Sequence, residues 1–469
     1  MSNNTPVRSP QTALLLVVAS VAALAAAPSL EHGLVWDDLH FLDPDRGVLW
    51  RAGWLRATWT ELMWAGGRTD SIPPYFRPLG LTLLRLEGSP PVSHLVQVGL
   101  HILNTVLVAR LAAAWGAGRV QGLLAASLFA VHPAQVEVYS WLSARGDALG
   151  TTFALLALLV MSRSPQGRRH RAAFGVLVLL ALLTKETFVV LPFVAAIHER
   201  SLGPLRSAAL PVLLWGVLYA AALTSAAEGS GDIHLDLRFL GHGLLLVPFL
   251  LFAPTGRTAG YLPGALPAYW VVVWVALVTA YVYVAWSAST RRGRRDMAAV
   301  AVSLTPALVP LLMLGGRSGD RYVYFTLALL LAGAAARMRL PETLRRRSLV
   351  LAACAALIAS GMGAARAQSR LWGDPQLQLL RPGGPEQPIR GSEAGDPDDV
   401  VDQGVELAVR EDPAVLRHLD HLLLGELARD RVRPQTLRQA VQDPLPEFAL
   451  RQNELVEVGA PPPRDVSLE

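Results

Sequence analysis

The sequence has 469 residues and a formal net charge of +5, and 52% of its residues are hydrophobic while only 17% are charged. This balance excludes an ordinary soluble protein, because soluble domains of this size carry fewer apolar and more charged residues. The basic residues fall in short loops between apolar segments, a pattern typical of cytoplasmic anchors and not of a nucleic-acid-binding patch. The single cysteine, Cys354, excludes an internal disulfide framework and a cysteine metal site.

Apolar segments long enough to cross a bilayer recur along the first three quarters of the chain. They predict an all-α fold, a polytopic transmembrane bundle of about 11 to 13 helices. The predicted segments are Thr12–Leu30, Val92–Trp115, Val120–Val138, Asp147–Met161, Ala172–Leu183, Thr187–Ile197, Leu205–Ala226, Arg238–Phe252, Ala268–Ser287, Met297–Leu314, Tyr322–Ala336 and Ser348–Ala365.

Three arginine clusters set the expected orientation, at residues 163–171, 291–295 and 337–347. If these clusters face the cytoplasm, residues 1–11 are cytoplasmic and the long loop 31–91 faces the other side. Tryptophans in that loop, Trp50, Trp54, Trp59 and Trp64, predict an interfacial helix. Five apolar segments lie between residues 171 and 291, but two arginine clusters on the same side of the membrane require an even number of crossings between them. Either Ala172–Leu183 and Thr187–Ile197 form one interrupted crossing, or Arg238–Phe252 is re-entrant.

The composition changes after the last apolar segment. We predict a transmembrane domain at 12–366 and a linker at 367–402, which contains the Pro-, Gly- and acid-rich stretch "RPGGPEQPIRGSEAGDPDD". Residues 403–469 are predicted to form a small acidic tail, helical and partly disordered, that could dock a partner protein. The tail shows no repeat with the period of about 34 residues that marks a tetratricopeptide array.

Ionisable residues are concentrated at the ends of the apolar segments. Such groups at membrane depth usually face a water-filled cavity or pair with one another. In the predicted orientation nearly all of them lie at the outer side. Carboxylates there could take a proton from an attacking hydroxyl, and arginine or lysine could stabilise a leaving phosphate. The candidate residues are Asp37, Asp38, Arg77, His132, Glu137, Arg145, Asp147, Lys185, Glu186, Arg321 and Tyr322.

Structural roles are open for several of these residues. His132 could satisfy backbone carbonyls freed by Pro133, and Arg145 could form an ion pair with Glu137 or Asp147. Lys185 favours a functional interpretation, because it is the single lysine of an arginine-rich chain and lies between strongly apolar flanks.

The stretches "VWDDLHFL", "YFRPLGL", "HILNTVL", "LFAVHPAQVEVYSWLSARGDAL", "LLTKETFVVLP" and "GDRYVYFTLALL" follow one another in this order. Together they resemble the motifs of the GT-C superfamily of membrane glycosyltransferases, in particular the branch with the TMTC O-mannosyltransferases and their bacterial relatives. The resemblance covers about residues 10 to 372. It departs from the family pattern at "SARGD", at Asp320 in place of a glutamate, and in lacking the tetratricopeptide array.

This resemblance implies a hexosyltransferase that moves a sugar, such as mannose, from a polyprenyl-phosphate carrier to an acceptor on the outer face, with inversion at the anomeric carbon. It implies Asp37 as general base, with Asp38 positioning the acceptor. Arg77, Lys185 and Arg321 would hold the lipid phosphate, and the remaining candidate residues would shape the site. No cofactor is expected beyond the lipid-linked donor and no metal-ligating residue is selected, while the metal requirement stays open. The partners would be the lipid carrier and a protein or glycan acceptor, and the location a bacterial inner membrane with a periplasmic site.

Two alternatives stay open at this point. The enzyme could glycosylate a lipid or polysaccharide instead of a protein. A transporter or flippase could use the same charged cavity for a phosphate-bearing lipid, although the sequence shows no matching halves with broken helices.

Overall fold

The computed structural model describes residues 10–43, 47–62, 75–163, 167–225, 240–252 and 319–373, with a few positions between 272 and 308. Regular secondary structure in these ranges is helical and includes no strand, which confirms the predicted all-α class. The predicted tail 403–469, nearly all of the linker 367–402, most of the predicted spans 268–287 and 297–314, and the arginines at 291–295 lie outside the described residues.

The described chain forms helices joined by short 3₁₀ turns. They are α1 (Pro10–Ala26), α2 (Asp37–Leu42), α3 (Trp54–Thr60), α4 (Pro78–Glu87), α5 (Pro90–Ala114), α6 (Arg119–Val131), α7 (Val136–Ser140), α8 (Arg145–Arg163), α9 (Arg168–Leu182), α10 (Leu191–Glu199), α11 (Gly203–Ser225), α12 (Leu240–Phe252), α13 (Tyr324–Arg337) and α14 (Leu344–Gly373).

Proline and glycine set several helix boundaries. Helix α4 begins at Pro78 and is followed by Gly88, whose φ of 76° ends the helix in the left-handed region. Helix α6 ends before Pro133, because a residue preceding proline disfavours helical backbone, and His132 is extended with ψ 129°. The predicted span Val120–Val138 is therefore interrupted, and α7 follows as a separate short helix.

The helices pack around a core of small and aliphatic side chains, with α5 at its centre. Helix α5 contacts α1, α6, α8 and α13, and α8 in turn packs along α9. The buried core includes Leu111, Phe129, Leu155, Phe174 and Tyr324. This arrangement brings the connections 132–144 and 183–190 and the segment 319–323 together, and these carry six of the eleven candidate polar residues.

The chain reverses direction at Lys185. The Trp115 ring, directly after α5, stacks on the His198 ring near the end of α10, with centroids 4.5 Å apart. Helix α10 therefore returns to the end of the bundle where α5 finishes, so Ala172–Leu183 and Thr187–Ile197 are two antiparallel segments and not one interrupted crossing. The arginines at the start of α9 and the polar residues around Lys185 consequently lie at opposite ends of that helix.

Five helical segments of the described chain are long and apolar enough to cross a membrane: Thr12–Glu31, Pro90–Ala114, Leu142–Arg163, Gly203–Thr224 and Leu344–Gly373. The windows in Gly203–Thr224 and Leu344–Gly373 are only 11% and 6% buried inside the protein. Large exposed apolar side chains on α11, such as Leu210 and Leu213, suit contact with lipid. The chain is a multi-pass membrane protein.

The tryptophans of the long loop are held by α4. The Arg85 guanidinium lies 4.4 Å from the ring centre of Trp50 and 5.4 Å from that of Trp54, and Trp59 Nε1 donates a hydrogen bond to Thr82 at 3.0 Å. The predicted interfacial helix corresponds in position to α3. Trp64 lies outside the described residues.

A polar network joins α5, α8 and α13 inside the bundle. Asn104 Nδ2 donates to the Ala148 carbonyl at 2.9 Å, and Asn104 Oδ1 accepts a bond from Thr152 Oγ1 at 2.8 Å. His101 Nδ1 and Tyr324 Oη are 3.0 Å apart, and His101 Nε2 is 3.1 Å from the Ala130 carbonyl. These side chains are buried away from water, so their polar atoms need partners within the protein, and these hydrogen bonds provide them.

We expect Asn104→Leu to lower the free energy of unfolding in detergent by about 1–2 kcal/mol, because Thr152 and the Ala148 carbonyl lose buried partners. Thermal denaturation of the purified protein measures the change. The neighbouring Leu103→Ala, on a side chain that is 42% exposed, is the control and should leave the melting temperature nearly unchanged. Equal melting temperatures for Asn104→Leu and wild type would contradict a stabilising role for the network.

Candidate functional site

The two aspartates after the first helix have different environments. Asp37 is partly exposed, whereas Asp38 has no exposed surface. Trp36, which precedes them, turns the chain into α2. Its φ of 50° is unfavourable for a residue other than glycine. The pair therefore divides into one carboxylate that faces the site and one that faces the protein.

Asp38 anchors the loop that follows α1 to the connection before α8. Its carboxylate accepts hydrogen bonds from Ser143 N at 2.7 Å, Ser143 Oγ at 2.5 Å, and Leu142 N and Val35 N at 3.3 Å each. Burial raises the pKa of Asp38 to about 7, while the bonds from Ser143 lower it. A carboxylate surrounded by donors in this way holds the loop in place, and the outward position belongs to Asp37.

Lys185 and Asp147 form a buried ion pair. Lys185 Nζ donates to both carboxylate oxygens of Asp147, at 2.6 and 2.7 Å, and the lysine side chain is 1% exposed. Two glycines of α8 permit this approach. A Cβ on Gly146 would lie 2.7 Å from the Thr184 carbonyl oxygen, and one on Gly150 would overlap Phe188. The reversal at Lys185 can therefore lie directly against the first turns of α8.

Arg77 and Glu186 form a two-point ion pair at the edge of the site. Arg77 Nε and Nη2 donate to the two Glu186 oxygens at 3.1 and 2.7 Å. The Tyr75 ring lies under the guanidinium, 4.0 Å from its carbon. The side chains of Arg77 and Glu186 are 14% and 26% exposed, so this pair is more accessible than the Lys185 pair.

Arg321 pairs with Glu137 beside Tyr322. Its Nη1 donates to Glu137 Oε1, and its backbone N donates to Glu137 Oε2 at 3.1 Å. The guanidinium carbon lies 4.7 Å from the Trp141 ring centre and 4.6 Å from that of Tyr322. Gly319 leaves the space that this pair occupies, since a Cβ there would lie 2.7 Å from Glu137 Oε1.

These three pairs converge around Tyr322, and Arg77 and Arg321 lie within electrostatic reach of Asp37. Lys185 Nζ lies 4.6 Å from the Tyr322 ring centre, on the same ring that Arg321 contacts. Burial raises the pKa of Asp37 to about 6, and the nearby positive charges of Arg321 and Arg77 counteract part of that shift. The site thus combines one carboxylate that can take up a proton near neutral pH with accessible guanidinium groups.

Arg145 and His132 have other partners. Arg145 is 1% exposed and pairs with Glu87 through Nη1 and, at 3.0 Å, Nη2, so the expected pairing with Glu137 or Asp147 is wrong. Its Nη2 also donates to the Ser93 carbonyl at 2.9 Å. His132 Nδ1 accepts a bond from Ala134 N, and its Nε2 lies 3.0 Å from the Leu251 carbonyl of α12. Both side chains join structural elements.

Sequence reasoning missed several contributors. Glu87 could have been found as an acid at a helix end before Gly88 in an apolar neighbourhood. Tyr75 and Trp141 lie within the quoted motifs but were not selected, because aromatic residues there are hard to distinguish from membrane anchors. Among the described residues, no group of three or more His, Cys, Asp or Glu side chains is arranged to hold a metal ion.

Two curated proteins are similar to part of this chain. The Drosophila melanogaster protein O-mannosyl-transferase Tmtc1 is 37% identical over 121 residues, which is 24% of this chain and 14% of that protein. The Drosophila Tmtc2 protein is 30% identical over 199 residues, 39% of this chain and 21% of that protein. The chain resembles the Tmtc O-mannosyl-transferases. The motif-based resemblance is thereby confirmed, although the matched regions are well under two thirds of those proteins' lengths.

Two further comparisons add little. No family model matches the chain. The apo crystal structure of the Archaeoglobus fulgidus oligosaccharyltransferase is similar with a TM-score of 0.43 and 13% sequence identity, over 81% of this chain and 59% of that one. At this level the likeness carries no argument about activity.

We expect Asp38→Ala to lower the free energy of unfolding by about 3 kcal/mol, because it leaves the Ser143 and Leu142 donors buried without an acceptor. Asp37→Ala serves as the matched control and should cost much less, since Asp37 is partly exposed. Thermal denaturation of both variants in the same detergent makes the comparison. Equal losses for the two would contradict the separate anchoring role of Asp38.

Proposed function

We propose that the protein is a membrane glycosyltransferase of the GT-C type. It transfers a sugar, with mannose as the first candidate, from a polyprenyl-phosphate carrier to a hydroxyl acceptor. The observation that carries the proposal is the convergence of Arg77, Lys185 and Arg321, cations from distant parts of the chain, around Tyr322 and within electrostatic reach of Asp37. The similarity to the two Tmtc proteins supports the same reaction class.

Asp37 acts as the general base in this mechanism. Its carboxylate accepts the proton of the acceptor hydroxyl while the acceptor oxygen attacks the anomeric carbon of the donor sugar. The new glycosidic C–O bond forms as the C–O bond to the phosphate breaks, and the bonding electrons leave with the phosphate oxygen. Attack from the face opposite the leaving group inverts the anomeric configuration.

The cations stabilise the leaving lipid phosphate. Arg77 and Arg321 are the more exposed cations of the cluster, at 14% and 20%, so they are the groups that can contact the phosphate. Lys185 is 1% exposed and lies beneath them, where its charge contributes without direct contact. Glu137 and Asp147 keep Arg321 and Lys185 in place.

The site belongs on the extracytoplasmic side in this proposal. The arginines between α8 and α9, and those between α13 and α14, lie in connections that alternate with the ones that carry the site. The positive-inside rule then assigns the arginines to the cytoplasm. A bacterial inner membrane with a periplasmic site fits this orientation. The acceptor, a protein or a glycan, is open, and the tail is proposed as a docking segment.

We expect Asp37→Asn to reduce sugar transfer about a thousandfold, because an amide cannot take the proton of the acceptor. The assay follows consumption of radiolabelled polyprenyl-phosphate mannose by membranes that contain native acceptors. Asp43→Asn, at the other end of α2, is the matched control and should retain activity. Full activity of Asp37→Asn would rule out Asp37 as the base. Movement of the labelled lipid across the membrane without its consumption would favour a flippase.

The rate should also depend on pH. Because Asp37 must be ionised to act as base and its pKa is raised to about 6, kcat/KM should fall as the pH drops through about 6 and level off above it. The measurement is a profile of initial rates from about pH 5 to about pH 8. A flat profile over that range would contradict the assignment.

A further inference from the structure

Every cation of the site is already occupied by a carboxylate of the protein itself. Arg77 pairs with Glu186, Lys185 with Asp147 and Arg321 with Glu137. Together with Asp37 these make three cations and four carboxylates, so the cluster has a formal charge of −1 when all are ionised. A phosphate anion that enters must therefore displace one of these carboxylates or face a net negative site.

Two of the three carboxylates are firmly held. Glu137 is 1% exposed and accepts a bond from the Arg321 backbone in addition to its guanidinium. Asp147 is 10% exposed and binds the lysine ammonium with both oxygens, beneath the Tyr322 ring. Removing either one would leave a buried cation or a backbone donor without its partner, which is costly.

Glu186 is the carboxylate that can leave. Its side chain is 26% exposed, the largest value among the carboxylates of the three pairs. Its partner Arg77 uses Nε and Nη2 for the pair, and Nη1 has no hydrogen bond to any described residue. An entering anion can contact Nη1 before Glu186 is released. The Tyr75 ring, 4.0 Å from the guanidinium carbon, keeps the plane of Arg77 fixed while its partner changes.

We propose that Glu186 is an internal substitute for the donor phosphate, paired with Arg77 until an isoprenoid phosphate binds and displaces it. A guanidinium group binds a carboxylate and a phosphate through the same two-point geometry, so one can replace the other. The exchange makes entry selective, because a lipid without an anionic headgroup cannot release Glu186. This inference rests on the proposed function for the identity of the phosphate.

The test measures binding of farnesyl phosphate, an isoprenoid monophosphate without a sugar, to the full-length protein in nanodiscs. Glu186→Gln removes the competing charge and should bind farnesyl phosphate roughly tenfold tighter than wild type. If Glu186 serves only to position Arg77, the same variant binds farnesyl phosphate more weakly. Whether the affinity rises or falls therefore decides between displacement and positioning. Weaker or unchanged affinity overturns the proposal, as does a wild-type protein that does not bind the probe.

Three controls make the sign interpretable. Glu186→Asp keeps the charge and should bind within about threefold of wild type, and a tenfold gain there would overturn the charge argument. The double variant Arg77→Gln with Glu186→Gln should bind no more tightly than Arg77→Gln alone, because the gain acts through Arg77. Farnesol, which lacks the phosphate, should show no gain with Glu186→Gln. The probe has no sugar to transfer, so the change in affinity with Glu186→Gln tests the exchange of anions, while the mannose assay tests the transfer reaction separately.

Discussion

The ion pair between Lys185 and Asp147 determines the arrangement of the site. It joins the first turn of α8 to the point where the chain reverses between α9 and α10, and the lysine is 1% exposed. A buried ammonium without this carboxylate would be severely destabilising, so the two elements are fixed together. Glu186 follows Lys185 directly, and Tyr322 lies over the lysine. The positions of Arg77 and Arg321 therefore depend on this one buried pair.

The acidic residues of this cluster have different roles. The buried acids Asp38, Glu137 and Asp147 hold backbone or cationic groups in place, which leaves Asp37 as the acid with a raised pKa near the exposed guanidinium groups. A charged cluster within a membrane protein needs such separation, because each unpaired charge at this depth has a high energetic cost. The same need for pairing explains the ion pair that Arg77 makes with Glu186.

Small residues make the close approaches possible. Gly146 and Gly150 let the 184–188 segment lie against α8, and Gly319 leaves room for the contact between Glu137 and Arg321. Any side chain at these positions would separate elements that must touch for the cations to converge. The motifs "SARGD" and "GDRYVY" therefore encode packing as well as charge.

The sequence by itself determined the all-α membrane class, the bounds of most of the long apolar helices to within about four residues, and most of the charged residues that gather at the connections. Hydrophobic length and the cost of buried charge are local properties, so they can be read from composition. Only the tertiary structure decided which charges pair. Glu87 as the partner of Arg145 and Glu186 as the partner of Arg77 join residues 58 and 109 positions apart. Such pairings depend on how helices pack, a property that no single stretch of sequence contains.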